Sequence, residues 1–342
     1  MHLERITLEK IVLGVILFSQ ILILSAYFLF PSPLKYTSSS FSLEVGNEIQ
    51  IIILAPNDQE FAIGDVLGNI LIYNVNGTLL SSWEAHNLDV SSLSYSADDT
   101  ILVSGGYDGY VKMWNVSTRT NISEIYETGA ISSVHILLDN NALVYQYLEG
   151  SSLNDFLVLW NLTSGTRTWT KNVGRLEFIT LSSNEELITS KFVHRIKGWN
   201  ELHLSYTKNA STAYNLTNFD GALYAGTFSP NGRLFAAGGS LGEVYVWDLE
   251  QVQIIRRFKM LGVINDVIFT SEGSKICTVS GGYENAICLW DLESGIMEKK
   301  LVIKSEQIPS YLDDVAQIQI TTNLTVISRR YSGKIEYWSL KS

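Results

Sequence analysis

Three side chains within residues 86–108 are of the types that nucleophilic catalysis uses. His86, Ser104 and Asp108 would supply base, nucleophile and orienting carboxylate, and Trp114 follows them. Such a set is a catalytic triad only when geometry aligns the three beside an oxyanion hole, which composition cannot show. A second serine lies in Gly238-Gly239-Ser240-Leu241-Gly242, a G-x-S-x-G pattern. A nucleophile elbow needs a strand before that serine and a helix after it. Here EVYVWDL follows, which reads as a strand, so the glycines are better read as a turn between two strands. No catalytic residue is expected.

Metal and cofactor chemistry fare no better. The histidines are His2, His86, His135, His194 and His203, and none falls in a ligand spacing such as H-E-x-x-H. Cys277 and Cys288 flank the turn GGYENA as candidate cross-strand neighbours, and two small buried thiols are the expected outcome. The pairs Asp98-Asp99, Glu185-Glu186 and Asp313-Asp314 are adjacent residues in or near turns, where carboxylates solvate the chain. No P-loop, dinucleotide-binding or calcium-loop pattern is present. Neither metal nor cofactor is expected.

The elements that must position these residues follow from the whole chain. Its 342 residues are 46% hydrophobic and 17% charged, enough for a packed core. A net charge of −11 argues against a nucleic-acid partner. Two cysteines exclude a disulfide-stapled scaffold. Residues 11–30, IVLGVILFSQILILSAYFLF, contain no formal charge. A helix of that length spans about 30 Å, the hydrocarbon thickness of a bilayer. This predicts a transmembrane signal-anchor within residues 1–30 and a linker at 31–35. The alternatives are a cleaved signal peptide, although its apolar stretch would be shorter, a buried soluble helix, and an anchor that leaves the propeller facing the cytoplasm. Arg5 and Lys10 precede the span and only Lys35 closely follows. The positive-inside rule then places the N-terminus in the cytoplasm and the remainder outside. Seven Asn-x-Ser/Thr sequons, at Asn76, Asn115, Asn121, Asn161, Asn209, Asn215 and Asn323, agree mildly, since chance alone would give roughly four.

The rest of the chain is periodic. Short apolar segments end in Tyr73, Trp114, Trp160, Trp199, Trp247, Trp290 and Trp338, spaced 41, 46, 39, 48, 43 and 48 residues apart. Seven units fill the chain from residue 36 to its end. Within residues 90–125, four short apolar runs are separated by turn residues, with no helical period. A lone four-stranded sheet of this kind exposes two apolar faces, and radial packing of seven such sheets buries them.

On these residues the chain resembles the WD40-repeat family of β-propellers. The match is strongest over residues 86–115, where His86, Ser104, Asp108 and Trp114 fall at the family's spacing. The resemblance implies that these four form a structural hydrogen-bonded chain within one blade. Trp-Asp recurs at Trp247-Asp248 and Trp290-Asp291, Trp-Asn replaces it at 114, 160 and 199, and Tyr73 stands where the first unit would have tryptophan. Ser280, Glu284 and Trp290 form a partial second set. The implied fold is all-β, a seven-bladed propeller over residues 36–342. The N-terminal segment 36–45 is its closing outer strand, beside strands near 314–320, 324–328 and 334–339. In this family the outer strand runs from the bottom face to the top, which would set the bottom rim towards the bilayer.

Two long connections, 208–219 and 302–313, are expected on the top face by strand order, and loops on a rigid scaffold are common binding elements. They bring Tyr214, Phe219, Tyr311, Asp313 and Asp314 there, with Tyr107 and Tyr283 on neighbouring turns. Tyrosines among carboxylates suit a protein or peptide partner with basic groups. The expected function is a non-catalytic, membrane-tethered interaction platform with a protein partner, and with the lipid bilayer contacted through residues 11–30. The alternatives are a quinoprotein-like propeller, hinted at by Ser164-Gly165-Thr166-Arg167-Thr168-Trp169, and a glycan-binding or sensory propeller.

Overall fold

The computed structural model describes residues 41–137, 140–148, 155–174, 178–194, 200–282, 284–303, 314–330 and 332–340. The expected span at 11–30, the linker, Trp199, Tyr283, Tyr311 and Asp313 lie outside them. Among the described residues, no helix is long and apolar enough to cross a membrane.

Seven antiparallel sheets follow one another along the chain. Blade 1 comprises Ile49–Leu54, Glu60–Asp65, Asn69–Asn74 and Leu79–Glu84. Blade 2 comprises Val90–Tyr95, Ile101–Gly106, Tyr110–Asn115 and Asn121–Tyr126. Blade 3 comprises Ala130–Ile136, Ala142–Leu148, Asp155–Asn161 and Thr166–Gly174. Blade 4 contributes Leu187–His194, Asn200–Tyr206 and Thr212–Leu216. Among the described residues, its innermost position is tied to the sheet by the bridge Leu181–Ile188 and by the bonds Ser182 N–H to Leu187 O and Thr189 N–H to Thr180 O. Blade 5 comprises Leu223–Phe228, Leu234–Gly239, Glu243–Asp248 and Gln253–Lys259. Blade 6 comprises Ile264–Phe269, Lys275–Ser280, Ala286–Asp291 and Met297–Val302. Blade 7 comprises Val315–Ile320, Thr325–Arg330 and Lys334–Ser339, with Phe41–Glu44 from the other end of the chain as its outer strand.

The strand pattern follows from side-chain alternation. In Tyr110–Asn115, Val111 and Met113 are buried on one face and Trp114 on the other, while Tyr110 and Lys112 are half-buried. Each sheet therefore has two apolar faces, and the core is a series of clusters between neighbouring blades. Val103, Val111 and Met113 of blade 2 pack on Ile131, Val134 and Tyr145 of blade 3. Close approach of the sheets needs a residue without a Cβ at one recurring position. A Cβ on Gly64, Gly105 or Gly238 would stand 2.6–2.7 Å from Val90, Ile131 or Ile264 of the next blade.

The ring closes through Phe41–Glu44, antiparallel to Lys334–Ser339 with Phe41 opposite Tyr337 and Glu44 opposite Lys334. Turns between second and third strands share one face, here the top, with the blade-to-blade connections. Turns between first and second strands and between third and fourth share the bottom. The register places Phe41 at the bottom end of its strand.

One expected pairing is corrected. Cys277 pairs with Leu289 and Thr278 with Cys288, so the two cysteines sit one register step apart and face opposite sides of the sheet. Cys277 belongs to the cluster between blades 6 and 7, Cys288 to that between blades 5 and 6, and both are free thiols.

Candidate functional site

His86 lies in the connection from blade 1 to blade 2, and Asp108 in the tight turn between the second and third strands of blade 2. Nδ1 of His86 is 2.9 Å from Asp108 Oδ1, and Nε2 is 2.7 Å from Ser104 Oγ. Trp114 Nε1 donates to Ser104 Oγ at 2.8 Å, and the backbone N–H of Asn87 donates to Asp108 Oδ2 at 3.0 Å. A carboxylate at Nδ1 makes that nitrogen the donor, so neutral His86 accepts at Nε2 from the Ser104 hydroxyl. Burial depresses the His86 pKa in spite of the adjacent Asp108 and keeps the ring neutral. The connectivity is that of a triad, yet Ser104 is fully buried and its oxygen is occupied by the indole N–H. No substrate carbon can reach it, and the network acts as an anchor for the turn.

The same three-dimensional positions hold other chemistries elsewhere. The backbone N–H of His86 donates to Gly68 O, and Glu127 and Met260 make the same bond to Gly109 O and Gly242 O. In blade 6, Trp290 Nε1 donates to Thr278 Oγ1 at 2.9 Å, and that hydroxyl donates to Met260 Sδ at 3.1 Å. Glu284 accepts the Leu261 N–H at 2.7 Å, as Asp108 accepts that of Asn87. The expected set Ser280, Glu284, Trp290 is therefore corrected: Thr278, not Ser280, receives the indole. Ser280 only reaches Glu284, at 3.4 Å. In blade 3, Tyr145 occupies the serine position and donates to Glu127 Oε1 at 2.5 Å, while Arg167 closes on Glu127 at 2.6 Å. In blade 5, Phe219 takes the histidine position and meets Trp247 edge-on at 5.8 Å. Blade 7 keeps Trp338 Nε1 donating to Ser328 Oγ at 2.9 Å. Blade 1 buries Tyr73 against Phe61 and Ile63. Trp160 is half-buried at the edge of the cluster between blades 2 and 3.

The inner strands line a central channel of about 480 Å³, with polar walls that include Ser91, Ser133, His135, Thr180, Asp266 and Gln317. The third residue of three inner strands stitches neighbouring blades. Ser92 accepts the Val134 N–H at 3.1 Å, Asp266 that of Ile318 at 2.9 Å, and Gln317 that of Ile52 at 3.1 Å. Burial raises the Asp266 carboxyl to about 6 despite its backbone hydrogen bonds, and lowers His135 to about 4. Sequence reasoning missed this ring because a lone polar residue in an apolar strand shows no partner until the next blade is beside it.

The top face carries Leu67, Leu88, Tyr107, Leu241, Leu261 and Val263 as exposed apolar side chains. On the bottom turns, exposed large apolar side chains among the described residues are Val252 and Ile296. Glu48 and Asp220 are exposed at the top, with Asp89 and Asp314 half-buried beside them. The nearby cations are engaged: Lys112 Nζ donates to Ala85 O and Lys259 Nζ to Leu241 O, both at 2.7 Å, and Lys300 pairs with Glu284. Asp314 Oδ2 accepts the Gly282 N–H at 2.7 Å.

Two expected binding residues are not on the exposed top surface. The segment after Tyr206 is the bottom turn between the third and fourth strands of blade 4, not a long top connection. Tyr214 consequently lies within the outer strand, half-buried against the cluster around Leu202 and Leu216. Phe219 does reach the top connection, but it is buried against Tyr245 and Trp247. A short turn was hidden inside the polar run KNAST. Ser164–Gly165 is likewise a bottom turn, and Trp169 Nε1 donates to Thr207 O at 2.8 Å, a blade-to-blade tie.

Residues 77–115 and 214–248 match the family model "WD domain, G-beta repeat". The fold is a seven-bladed propeller of WD40 type. The propeller resembles the crystal structure of the Myceliophteria thermophila Cps50 (Swd1) β-propeller domain, with a TM-score of 0.71, 13% identity, and coverage of 89% of this chain and 99% of that one. By sequence the chain is similar to apoptotic protease-activating factor 1 of Rattus norvegicus, 22% identical over 263 residues, covering 72% of this chain and 20% of that protein. Periodic tryptophan protein 2 of Arabidopsis thaliana is 23% identical over 238 residues, covering 68% and 25%. Protein ROOT INITIATION DEFECTIVE 3 of the same plant is 23% identical over 253 residues, covering 71% and 48%. The alignments thus span between a fifth and about half of those relatives.

Proposed function

We propose that this chain is a non-catalytic, membrane-tethered interaction platform that presents its top face to a protein partner. The observation that carries the reading is the top rim itself. Exposed Leu67, Leu88, Tyr107, Leu241, Leu261 and Val263 stand among carboxylates, while the nearby lysines are spent on internal bonds. Apolar anchors of this kind bury readily in a partner, and the acidic surround favours one with basic groups. The similarity to WD40-type propellers supports a scaffold role by analogy of fold. The apolar run at 11–30 supports the tether, and the preceding Arg5 and Lys10 support an extracytoplasmic propeller.

Site-specific photocrosslinking in the native membrane tests the face. A crosslinking amino acid at Leu88 or Leu261 is expected to give a discrete protein adduct, and one at Val252 or Ile296 none. Leu88→Asp with Leu261→Asp is expected to abolish the adduct formed from Tyr107 while leaving the thermal midpoint within about 2 °C, since exposed substitutions cost about 0.5 kcal/mol or less. Adducts only from the bottom positions would overturn the reading.

A further inference from the structure

The seven sequons are distributed unevenly over the propeller, and the fold separates them by exposure. Asn115 and Asn161 end the third strands of blades 2 and 3, where their Oδ1 atoms accept the N–H of Thr118 at 2.9 Å and Ser164 at 2.7 Å. Asp291 does the same in blade 6, accepting the Ser294 N–H at 2.7 Å. At these two half-buried positions a turn-capping residue is required, and the hydroxyl that completes the sequon belongs to the turn. Their sequons have a structural origin.

The other five asparagines are exposed. Asn76 and Asn209 occupy bottom turns between third and fourth strands, and Asn323 a bottom turn between first and second strands. Asn121 and Asn215 lie on outer strands. Asn76 and Asn323 line one bottom cleft of about 760 Å³ between blades 1 and 7. At the third bottom site Asn209 Oδ1 accepts both the Ser211 N–H at 3.0 Å and the Ser211 hydroxyl at 2.8 Å, so it caps its turn as Asn115 and Asn161 do but stays exposed. The top face is not short of asparagine: Asn47, Asn87 and Asn218 lie in its connections. Their second following residues are Ile49, Asp89 and Asp220, and none completes a sequon. Asparagine thus occurs on both faces; the acceptor pattern falls mainly on the bottom turns and outer strands, with Asn215 near the top end of its strand and Thr217 in the connection that follows.

We propose that the propeller is N-glycosylated on its bottom face, at one or more of Asn76, Asn209 and Asn323, which leaves the top connections bare for its partner. The proposal rests on the extracytoplasmic placement of the propeller. The donor is a polyprenyl-diphosphate-linked oligosaccharide, and a membrane oligosaccharyl transferase is the catalyst. Asparagine Nδ2 bonds to the anomeric carbon, the bond from that carbon to the phosphate oxygen breaks, the diphosphate leaves with the electron pair, and Nδ2 loses one proton. A bulky polar chain at each exposed carboxamide is compatible with the fold, whereas one in the top connections would cover the leucines.

The test uses the full chain isolated from its native membrane. Intact-glycopeptide mass spectrometry is expected to find hexose- or hexosamine-bearing peptides at one or more of Asn76, Asn209 and Asn323. Thr78→Ala, Ser211→Ala and Thr325→Ala keep each asparagine but remove the acceptor hydroxyl, and each is expected to erase the sugar at its own site alone. Unmodified peptide at all three sites overturns the proposal. Protease digestion of intact cells, read at the C-terminus, separates the causes. Digestion with bare asparagines defeats the glycan alone, and protection defeats the placement on which it rests.

Discussion

Blades 2 and 6 hold one geometry with two chemistries. Blade 2 links Trp114, Ser104, His86 and Asp108 by side-chain hydrogen bonds of 2.7–2.9 Å. Blade 6 links Trp290, Thr278 and Met260, and lets Glu284 hold the loop N–H of Leu261 directly. Blade 5 dispenses with the polar chain and packs Phe219 on Trp247. What the three share is a filled volume between the blade connection and the tight turn, and an aromatic residue on the third strand. The hydrogen bonds specify how that volume is filled and which failures are costly. A polar chain is robust while every member is satisfied and fragile when one is removed.

The comparison breaks most sharply at Ser104. Ser104→Ala orphans the Trp114 indole N–H and removes the His86 Nε2 partner, and is expected to lower stability by about 3 kcal/mol, read from the urea unfolding midpoint. Thr278→Val in blade 6 strands only the Trp290 N–H, because a thioether sulfur is a weak acceptor with little to lose. About 1–2 kcal/mol is expected there. Equal losses at the two sites would show that volume alone matters.

The next effect concerns pH. His86 and His135 have depressed pKa values in the folded state, so the unfolded chain binds more protons as pH falls below about 6.5. Stability is therefore lost on acidification, for His135 between about 6.5 and about 4. Asp266 has the opposite sign. Its carboxyl, raised to about 6, takes up a proton in the folded state first, and stabilises the fold as pH falls from about 6 towards 4. Asp266→Asn is expected to steepen the acid loss between pH 6 and 4 by up to about 1.4 kcal/mol per unit, and His135→Gln to flatten it. A pH series of denaturation midpoints reads both. An unchanged slope in Asp266→Asn would mean that this carboxyl titrates as an ordinary exposed one.

Two smaller tests sharpen the contrast. Phe219→His with Ala237→Ser rebuilds two members of the blade 2 chain in blade 5. The double variant is expected to be more stable than the sum of the single losses predicts, by about 1 kcal/mol in a double-mutant cycle. Reducing agent is expected to leave the unfolding midpoint unchanged, because Cys277 and Cys288 face different clusters and burial raises both thiol pKa values, that of Cys288 to about 12.

The repeat was legible because each blade reuses one strand plan, and alternation of side chains survives sequence drift. Trp114, Trp247, Trp290 and Trp338 announced their blades, and His86, Ser104 and Asp108 announced one network. Met260 and Glu127 were illegible as its counterparts, since neither residue type suggests a histidine position until the shared backbone bonds to Gly242 and Gly109 align them. The top loops were partly misread. A polar run such as 207–211 is a short bottom turn or part of a long top loop depending on where the next strand starts, and Tyr214 moved from loop to strand for that reason.

Local pattern and period sufficed for the number of sheets, their strand character and the aromatic position in each unit. Tertiary structure decided the rest. A one-residue register difference put Cys277 and Cys288 on opposite faces. Neighbouring inner strands gave Ser92, Asp266 and Gln317 their partners 42, 52 and 265 residues away. Burial decided that Phe219 is core while Leu261 is surface. Which face a side chain occupies, and what waits there, is set by strands distant in the chain, and no local pattern carries that information.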